Sequence, residues 1–169
     1  IKLAQVQKCA DTAIYRVDRQ DLPLHSDNVH HTAAGFTTLG QRCAQAVLSF
    51  LGLVSYYRGP RYSTVTQISS TVYDVNLTHN GSGTDFTPTS SITGFRVLVS
   101  GSPVTISSIA QQTTSKIRIT LSSGAGSMPT IDYLYGTAPT ITGVVKDNSA
   151  LTLPLEYNAG ILATVASSD

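Results

Sequence analysis

Apolar residues recur at helical spacing in the first part of the chain. The clearest run places them three and four positions apart, at Phe36, Leu39, Cys43, Ala44, Val47, Leu48 and Leu51. Thr32-Ala33-Ala34-Gly35 opens this predicted helix, and Gly52 is placed to end it. An earlier helix is predicted by the same spacing of Ile1, Ala4, Gln5, Lys8 and Cys9.

A short apolar segment, Ala13–Val17, lies between the two predicted helices. Its β-branched residues are typical of a buried strand in a parallel sheet. A polar loop from Asp18 to His31 follows. Because Ile1 begins within the helical pattern, without an initiator Met or a signal peptide, we expect a longer parent polypeptide.

The pattern changes to a period of two after residues 55–62, which contain a Gly59-Pro60 break and are predicted to be a linker. Gly-containing turns at 80–83, 101–103 and 124–126 separate the segments that follow. Those segments carry three apolar stripes: Tyr73, Val75 and Leu77; Phe95, Val97 and Val99; and Ile117, Ile119 and Leu121.

These patterns predict two structural parts joined by the linker. Residues 1–54 should be the C-terminal end of a layered α/β domain, with helix, strand, loop and helix in that order. Residues 63–169 should form an antiparallel β-sandwich, because short alternating strands with turns between them are typical of that architecture.

Composition and charge argue against several classes of partner. The 169 residues include 11 Lys and Arg against 10 Asp and Glu, without a block of either sign. Neither nucleic acid nor an anionic membrane surface is therefore an expected partner. No apolar run approaches the roughly 18–20 residues that cross a bilayer. The Ser/Thr-rich composition suits a neutral or weakly acidic partner such as a glycan.

The two cysteines, Cys9 and Cys43, lie on the two predicted helices and in no metal-ligand spacing. A disulfide is one interpretation. We favour free, buried thiols, because free Cys often behaves as a small apolar residue. No metal or other cofactor is predicted.

Candidate chemistry is concentrated in the polar loop, where Asp27-Asn28-Val29-His30 forms a D-x-x-H sequence. Serine hydrolysis needs a base that takes the hydroxyl proton and a carboxylate that orients the imidazole and stabilises its cation. A three-residue step in a turn can bring Asp27 and His30 together at one edge of a sheet. D-x-x-H also arises by chance, and a surface histidine without a catalytic role is the alternative.

Residues 22–32, LPLHSDNVHHT, are followed by Gly35 and by LGQRCA at 39–44. This stretch resembles the C-terminal block of the SGNH, or GDSL-like, hydrolases, in particular carbohydrate O-acetylesterases of the sialate O-acetylesterase type. Residues 1–5, IKLAQ, are similar to the helix that precedes the last strand of that family. Residues 131–136 and 147–155 are similar to its closing β segment.

The resemblance implies that His30 is a general base and that Asp27 is its orienting carboxylate. His31 stands where the family tends to have proline, so either histidine could serve, and the spacing from Asp27 favours His30. The family's nucleophilic Ser and its oxyanion donors, a Gly and an Asn, precede this loop, and their motifs do not occur here. Gly81-Ser82-Gly83 is a predicted turn rather than a nucleophile elbow. The chain alone should therefore be inactive, and no nucleophile or substrate-binding residue is assigned.

Three functions remain open. The first is the C-terminal portion of a serine esterase that removes O-acetyl groups from sialic acid or surface polysaccharide. Its partners would be the glycan and the missing N-terminal part of the esterase domain, on the same or a separate chain. The others are a carbohydrate-binding β-domain and an oligomerisation β-domain of a phage tail or secreted protein. All three suit an extracellular, periplasmic or virion-associated location.

Overall fold

The described part of the chain is mostly antiparallel β-structure, preceded by a single helix. The structure, a computed structural model, describes residues 15–135, 141–156 and 158–165. Helix α1 spans Ala33–Phe50. The strands are β1 (Arg61–Gln67), β2 (Val72–Thr78), β3 (Phe86–Thr87), β4 (Phe95–Val99), β5 (Ser102–Val104), β6 (Ile106–Thr113), β7 (Lys116–Leu121), β8 (Thr130–Tyr133), β9 (Lys146–Asp147), β10 (Asn158–Leu162) and β11 (Thr164–Val165).

Helix α1 has both of the ends that its sequence predicts. At the start, the Thr32 hydroxyl accepts a hydrogen bond of 3.1 Å from the backbone N–H of Gly35, which satisfies one of the donors left free in a first turn. At the end, Gly52 has φ +73° and donates to the Ser49 carbonyl at 3.0 Å. Glycine adopts this left-handed conformation without a Cβ penalty, so the helix stops here.

The strands form two larger sheets and one small one. The five-stranded sheet has the order β11-β1-β2-β7-β6, and the four-stranded sheet has the order β10-β8-β4-β5. Strands β3 and β9 pair separately. Neighbours are antiparallel, except that β1 and β11 run parallel. This result confirms a β-rich fold.

The three predicted apolar stripes line one core, to which both larger sheets contribute. The stripes on β2 and β7 are buried, and on β4 Val97 is buried while Phe95 and Val99 pack against the core as half-buried residues. Removing these side chains from water is the main favourable contribution to folding. The buried core residues from the two larger sheets are Val65, Tyr73, Val75, Leu77, Val97, Ile117, Ile119, Leu121, Ile131 and Tyr133.

One predicted strand is not formed where the structure describes it. Tyr15–Val17 has no regular secondary structure, while Ala13, Ile14 and the earlier predicted helix lie outside the described residues. A strand needs a neighbour to pair with, and the described sheets all come from later in the chain. Tyr15 instead packs against Tyr57, with ring centroids 4.6 Å apart, and against Phe50 at 5.8 Å.

The residues before the sheets are joined closely to them. The Tyr56 hydroxyl accepts a hydrogen bond from the Ser82 hydroxyl at 3.1 Å. A Cβ added at Gly59 would lie 2.0 Å from the Pro154 carbonyl oxygen, so the two backbones touch. Arg16 forms an ion pair of 3.4 Å with Glu156. The segment predicted as a linker is therefore packed against the connections between the strands, and β1 begins within it at Arg61.

Helix α1 packs against the rest of the described structure through its three buried residues, Gly35, Arg42 and Ala46. Cys43 projects to another side of the helix and is free and exposed, so the expectation that it is buried was wrong. Cys9 lies outside the described residues. Within the described ranges, no helix combines the length and apolarity that a bilayer crossing requires.

Candidate active site

The loop that carries the D-x-x-H sequence folds as a narrow hairpin in front of α1. At its base, the Pro23 carbonyl accepts a hydrogen bond of 3.1 Å from the Thr32 N–H. Closer to the tip, the His25 N–H donates to the His30 carbonyl at 2.7 Å. Asn28 turns the chain with φ +56°, a left-handed conformation that asparagine tolerates better than most residues.

Asp27 and His30 are hydrogen-bonded to each other at the tip of this hairpin. His30 Nδ1 lies 2.7 Å from Asp27 Oδ2, while Asp27 Oδ1 accepts from the backbone N–H groups of Val29 at 2.9 Å and His30 at 3.0 Å. An ionised carboxylate can only accept, so Nδ1 is the donor and Nε2 of the neutral ring remains an acceptor. The His30 hydrogen bond and then the two backbone N–H groups lower the pKa of Asp27 below its ordinary value.

Both side chains of the pair are open to solvent. The His30 side chain is 72% exposed and that of Asp27 is 44% exposed. Within the described ranges, no serine or threonine hydroxyl is hydrogen-bonded to the His30 ring. The arrangement can orient an imidazole and support its cation, and a hydroxyl from elsewhere could approach Nε2.

The neighbouring histidines lie in different surroundings. His31 is buried, with Nε2 at 3.4 Å from an Arg19 nitrogen and its ring edge-to-face with Phe36 at 5.8 Å. The exposed His25 is 3.1 Å from the Ser26 hydroxyl. Of these three histidines, His30 is the one that the structure brings to Asp27.

The base of the hairpin is held by a buried ion pair. Arg42 donates to both carboxylate oxygens of Asp21, at 2.7 and 2.9 Å, and to the Asp18 carbonyl at 3.0 Å. The side chains of Arg42 and Asp21 are 1% and 0% exposed. Arg42 is buried rather than on the helix surface because this face of α1 packs against the loop.

Two contacts connect this ion pair to the β-structure. Arg42 also donates to the Thr152 carbonyl at 3.3 Å, and Lys146 Nζ on β9 lies 3.2 Å from Asp21 Oδ2. Burial opposes ionisation of Asp21, but the hydrogen bonds and charge of Arg42, aided by Lys146, hold its pKa below the ordinary value. Asp21 is therefore a stable anion at the junction of the loop, α1 and β9.

A second group of charges is buried beside this junction. Arg16 lies 3.1 Å from Asp18 and 3.4 Å from Glu156. Burial raises the pKa of Asp18 and of Glu156, and the neighbouring arginines oppose that rise in part. In the described part of the chain, no three side chains of His, Cys, Asp or Glu converge as metal ligands would.

The β-structure has an open groove of about 510 Å³ beside strand β6. Its walls are residues 91–95, which lead into β4, and residues 106–109 at the start of β6. The groove is lined by serine and threonine hydroxyls together with isoleucine and Phe95, and none of its lining residues is charged.

Comparison with known proteins shows a likeness in fold. No family model matches the sequence, and no curated protein is significantly similar to it. A solved structure, that of a carbohydrate acetylesterase from Xanthomonas citri, matches 77% of this chain and 28% of its own length, with a TM-score of 0.54 and 14% identity. Residues 63–169 make up less than two thirds of the chain. The match therefore includes some residues before position 63.

The N-terminal part of the bacterial S-layer protein SbsC is also similar, over 76% of this chain and 28% of that one, with a TM-score of 0.45 and 16% identity. The chain thus spans little more than a quarter of either protein. At such low identity, the comparison with the acetylesterase supports a shared fold and no more.

Sequence reasoning did not identify Asp21 and Lys146 as parts of the site's surroundings. Arg42 is the sole charged residue of α1, but this feature of the sequence indicates neither its burial nor its partner.

Proposed function

We propose that this chain supplies the acid–base pair of a carbohydrate O-acetylesterase. His30 is the general base that takes the proton of a serine hydroxyl and returns it to the leaving group. Asp27 holds the imidazole in its Nδ1–H form and stabilises the cation. The nucleophilic serine and the oxyanion donors are not among these 169 residues and belong to another part of the enzyme.

The observation that carries this proposal is the hydrogen bond from His30 Nδ1 to Asp27 Oδ2, at 2.7 Å. Its geometry fixes which ring nitrogen accepts a proton, and the two backbone bonds to Asp27 Oδ1 keep the carboxylate from turning away. The same bonds also shape the turn, since Asp side chains commonly accept from backbone N–H groups two and three residues later. The proposal is compatible with the fold that this chain shares with a carbohydrate acetylesterase.

The outer face of α1 supports the idea that more of the enzyme packs against it. Six apolar side chains are exposed on or just beyond the helix, namely Phe36, Val47, Leu48, Phe50, Leu51 and Leu53. Arg42 is the sole charge on the helix and is buried. An exposed patch of apolar side chains on a protein surface often marks a site where another part of a protein packs. The remainder of an esterase domain would cover this face and bring its serine toward His30.

The test is release of acetate from an O-acetylated polysaccharide by the full-length polypeptide that contains this sequence. We expect release by the wild type and the His25→Ala variant, and no release by the His30→Ala variant or by the 169-residue chain alone. Acetate release by the chain alone would show that the proposed division of the catalytic residues is wrong.

A second candidate function is binding of a neutral glycan by the β-structure. The groove beside β6 favours it, because serine and threonine residues line an uncharged cleft of about 510 Å³. A glycan array with the whole chain and with a Ser108→Arg variant tests this candidate. Binding that the arginine abolishes would support it, and the absence of binding would leave the esterase role alone.

A further inference from the structure

The tip of the hairpin that carries Asp27 and His30 is exposed to solvent, whereas the base of the hairpin is fixed by buried charges. We define the base cluster as Asp21 from the loop, Arg42 from α1 and Lys146 from β9. Asp21 accepts two hydrogen bonds from Arg42 and lies 3.2 Å from Lys146 Nζ. A single carboxylate thus joins the loop, the helix and the β-structure.

We propose that Asp21, Arg42 and Lys146 are positioning residues that set the orientation of the Asp27–His30 pair. The β-structure then helps to orient the catalytic pair, through Lys146 and the Thr152 carbonyl, and is not merely a separate module attached to it. That this positioning serves catalysis rests on the proposed function, whereas the positioning of the two side chains does not depend on it.

A continuous set of contacts leads from the base cluster to the tip. Leu22, next to Asp21, is buried, and the adjoining Pro23 carbonyl accepts from the Thr32 N–H at 3.1 Å. A Cβ added at Gly35 would lie 3.0 Å from the Pro23 carbonyl oxygen and 3.1 Å from His31 Cβ. The first turn of α1 therefore packs directly on both arms of the hairpin, and a shift at its base moves both arms.

The exposure of the pair explains why such support is needed. The side chain of His30 is 72% exposed, so packing at the tip does little to hold it. A general base must be held close to its productive geometry, since a misplacement of about 1 Å can reduce the rate by roughly 100-fold. The backbone hydrogen bonds of the hairpin provide that order, and the base cluster fixes the hairpin to the rest of the molecule.

Two variants weaken the base cluster to different degrees. Lys146→Met removes the charge that the β-structure contributes, and Arg42→Lys breaks the paired hydrogen bonds to Asp21 while keeping a positive charge. Lys116→Met is a matched control. The Lys116 side chain is 38% exposed against 34% for Lys146, and its Nζ lies 3.8 Å from the buried Asp74 on β2. Lys146→Arg is the conservative variant.

Nuclear magnetic resonance on the 169-residue chain gives the readout. Amide hydrogen exchange is followed at Val29 and His30, whose N–H groups bond Asp27, and at His25, whose N–H bonds the His30 carbonyl. The ring nitrogens of His30 report whether Nδ1 still donates to Asp27. A charge-assisted hydrogen bond corresponds to roughly a tenfold change in local opening. We therefore expect exchange at the tip to quicken about tenfold in Lys146→Met and more in Arg42→Lys.

The expected pattern includes the controls. Exchange at the tip should match the wild type in Lys116→Met and return toward it in Lys146→Arg, while core amides such as Ile119 keep their protection. If Arg42→Lys does not fold, the Lys146 pair carries the test. The proposal is overturned if Lys146→Met leaves the tip as Lys116→Met does, or if exchange quickens equally throughout the molecule.

The outcome separates this proposal from the proposed function. A full-length protein without esterase activity, but with a disturbed His30 in Lys146→Met, would remove the esterase role and leave the positioning intact. If the full-length enzyme is active but Lys146→Met leaves the His30 ring signals unchanged, the esterase role would stand and the positioning role would be overturned.

Discussion

Replacing Arg42 with methionine would leave the Asp21 carboxylate buried without its main partner. Arg42 makes four hydrogen bonds, two to Asp21 at 2.7 and 2.9 Å and one each to the carbonyls of Asp18 at 3.0 Å and Thr152 at 3.3 Å. Removing one member of a buried ion pair typically costs about 3–5 kcal/mol. Lys146 still faces Asp21, and methionine fills part of the space. We therefore expect a loss of about 3 kcal/mol in the free energy of unfolding.

Arg118 offers a control with the same bond lengths and a partly exposed guanidinium, although its partner Asp74 is itself buried. It donates to the two carboxylate oxygens of Asp74 at 2.7 and 2.9 Å, but its side chain is 35% exposed. Solvent screens such a pair, and Lys116 remains 3.8 Å from Asp74 after the substitution. Arg118→Met should therefore cost about 1 kcal/mol.

Urea unfolding followed by circular dichroism measures both losses at the same pH and salt concentration. The carboxylate bonds of the two pairs have equal lengths, so the difference between the variants measures what burial of the Arg42 guanidinium and its two carbonyl bonds add. Equal losses for the two variants would refute the reasoning, since Arg42 would then contribute no more than a surface arginine.

The remaining predictions concern backbone contact and pH. Gly59→Ala should cost about 1–3 kcal/mol or more, because its Cβ would lie 2.0 Å from the Pro154 carbonyl oxygen. Gly40→Ala should raise stability by about 1 kcal/mol, since Gly40 lies in α1 and its Cβ would meet nothing within 4 Å. Thermal melting checks this pair, and shifts of Tm in the same direction would contradict it. For Asp21, the folded pKa lies below its ordinary value of 3.8, so its stabilising contribution is present above pH 3.8 and is lost as the pH falls through the folded pKa. The difference in unfolding free energy between the wild type and Asp21→Asn should therefore shrink in acid. A difference that stays constant from pH 6 to pH 3 would contradict this sign.

The local patterns of the chain predicted much of the β-structure. Strands β2, β4 and β7 could be predicted from the local alternation of apolar residues alone, because side chains on a strand point alternately to its two faces. The stripes of Tyr73, Val97 and Ile119 duly line the core. The ends of α1 were equally local, since a capping hydroxyl and a left-handed glycine act within one turn.

Features that depend on distant parts of the chain were not predicted. Arg42 donates to Asp21, 21 residues away, and to the Thr152 carbonyl, 110 residues away. No local sequence pattern predicts either contact. The segment Tyr15–Val17 has the composition of a strand, but among the described residues it has no strand to pair with. Burial of Cys43 was expected from its apolar stripe, whereas α1 packs through another face.

The pairing of Asp27 with His30 was predictable in part. A spacing of three residues in a polar loop allowed their contact, and the structure adds the 2.7 Å bond and the backbone N–H groups that hold Asp27. The catalytic roles of the two residues remain a prediction, because a hydrogen-bonded Asp–His pair can assist hydrolysis only when there is a nucleophile for it to activate.

The kcat of the full-length polypeptide toward p-nitrophenyl acetate, compared between His30→Ala and His25→Ala, tests the central claim most directly. Both histidines are exposed in the same hairpin, so loss of an imidazole from the loop is common to the two variants. We predict that His30→Ala lowers kcat by roughly 10⁴-fold with little change in KM, as expected when the lost interaction belongs to the transition state. His25→Ala should stay within a few-fold of the wild type. Equal activities of the two variants in an active enzyme would contradict the assignment of His30 as the general base.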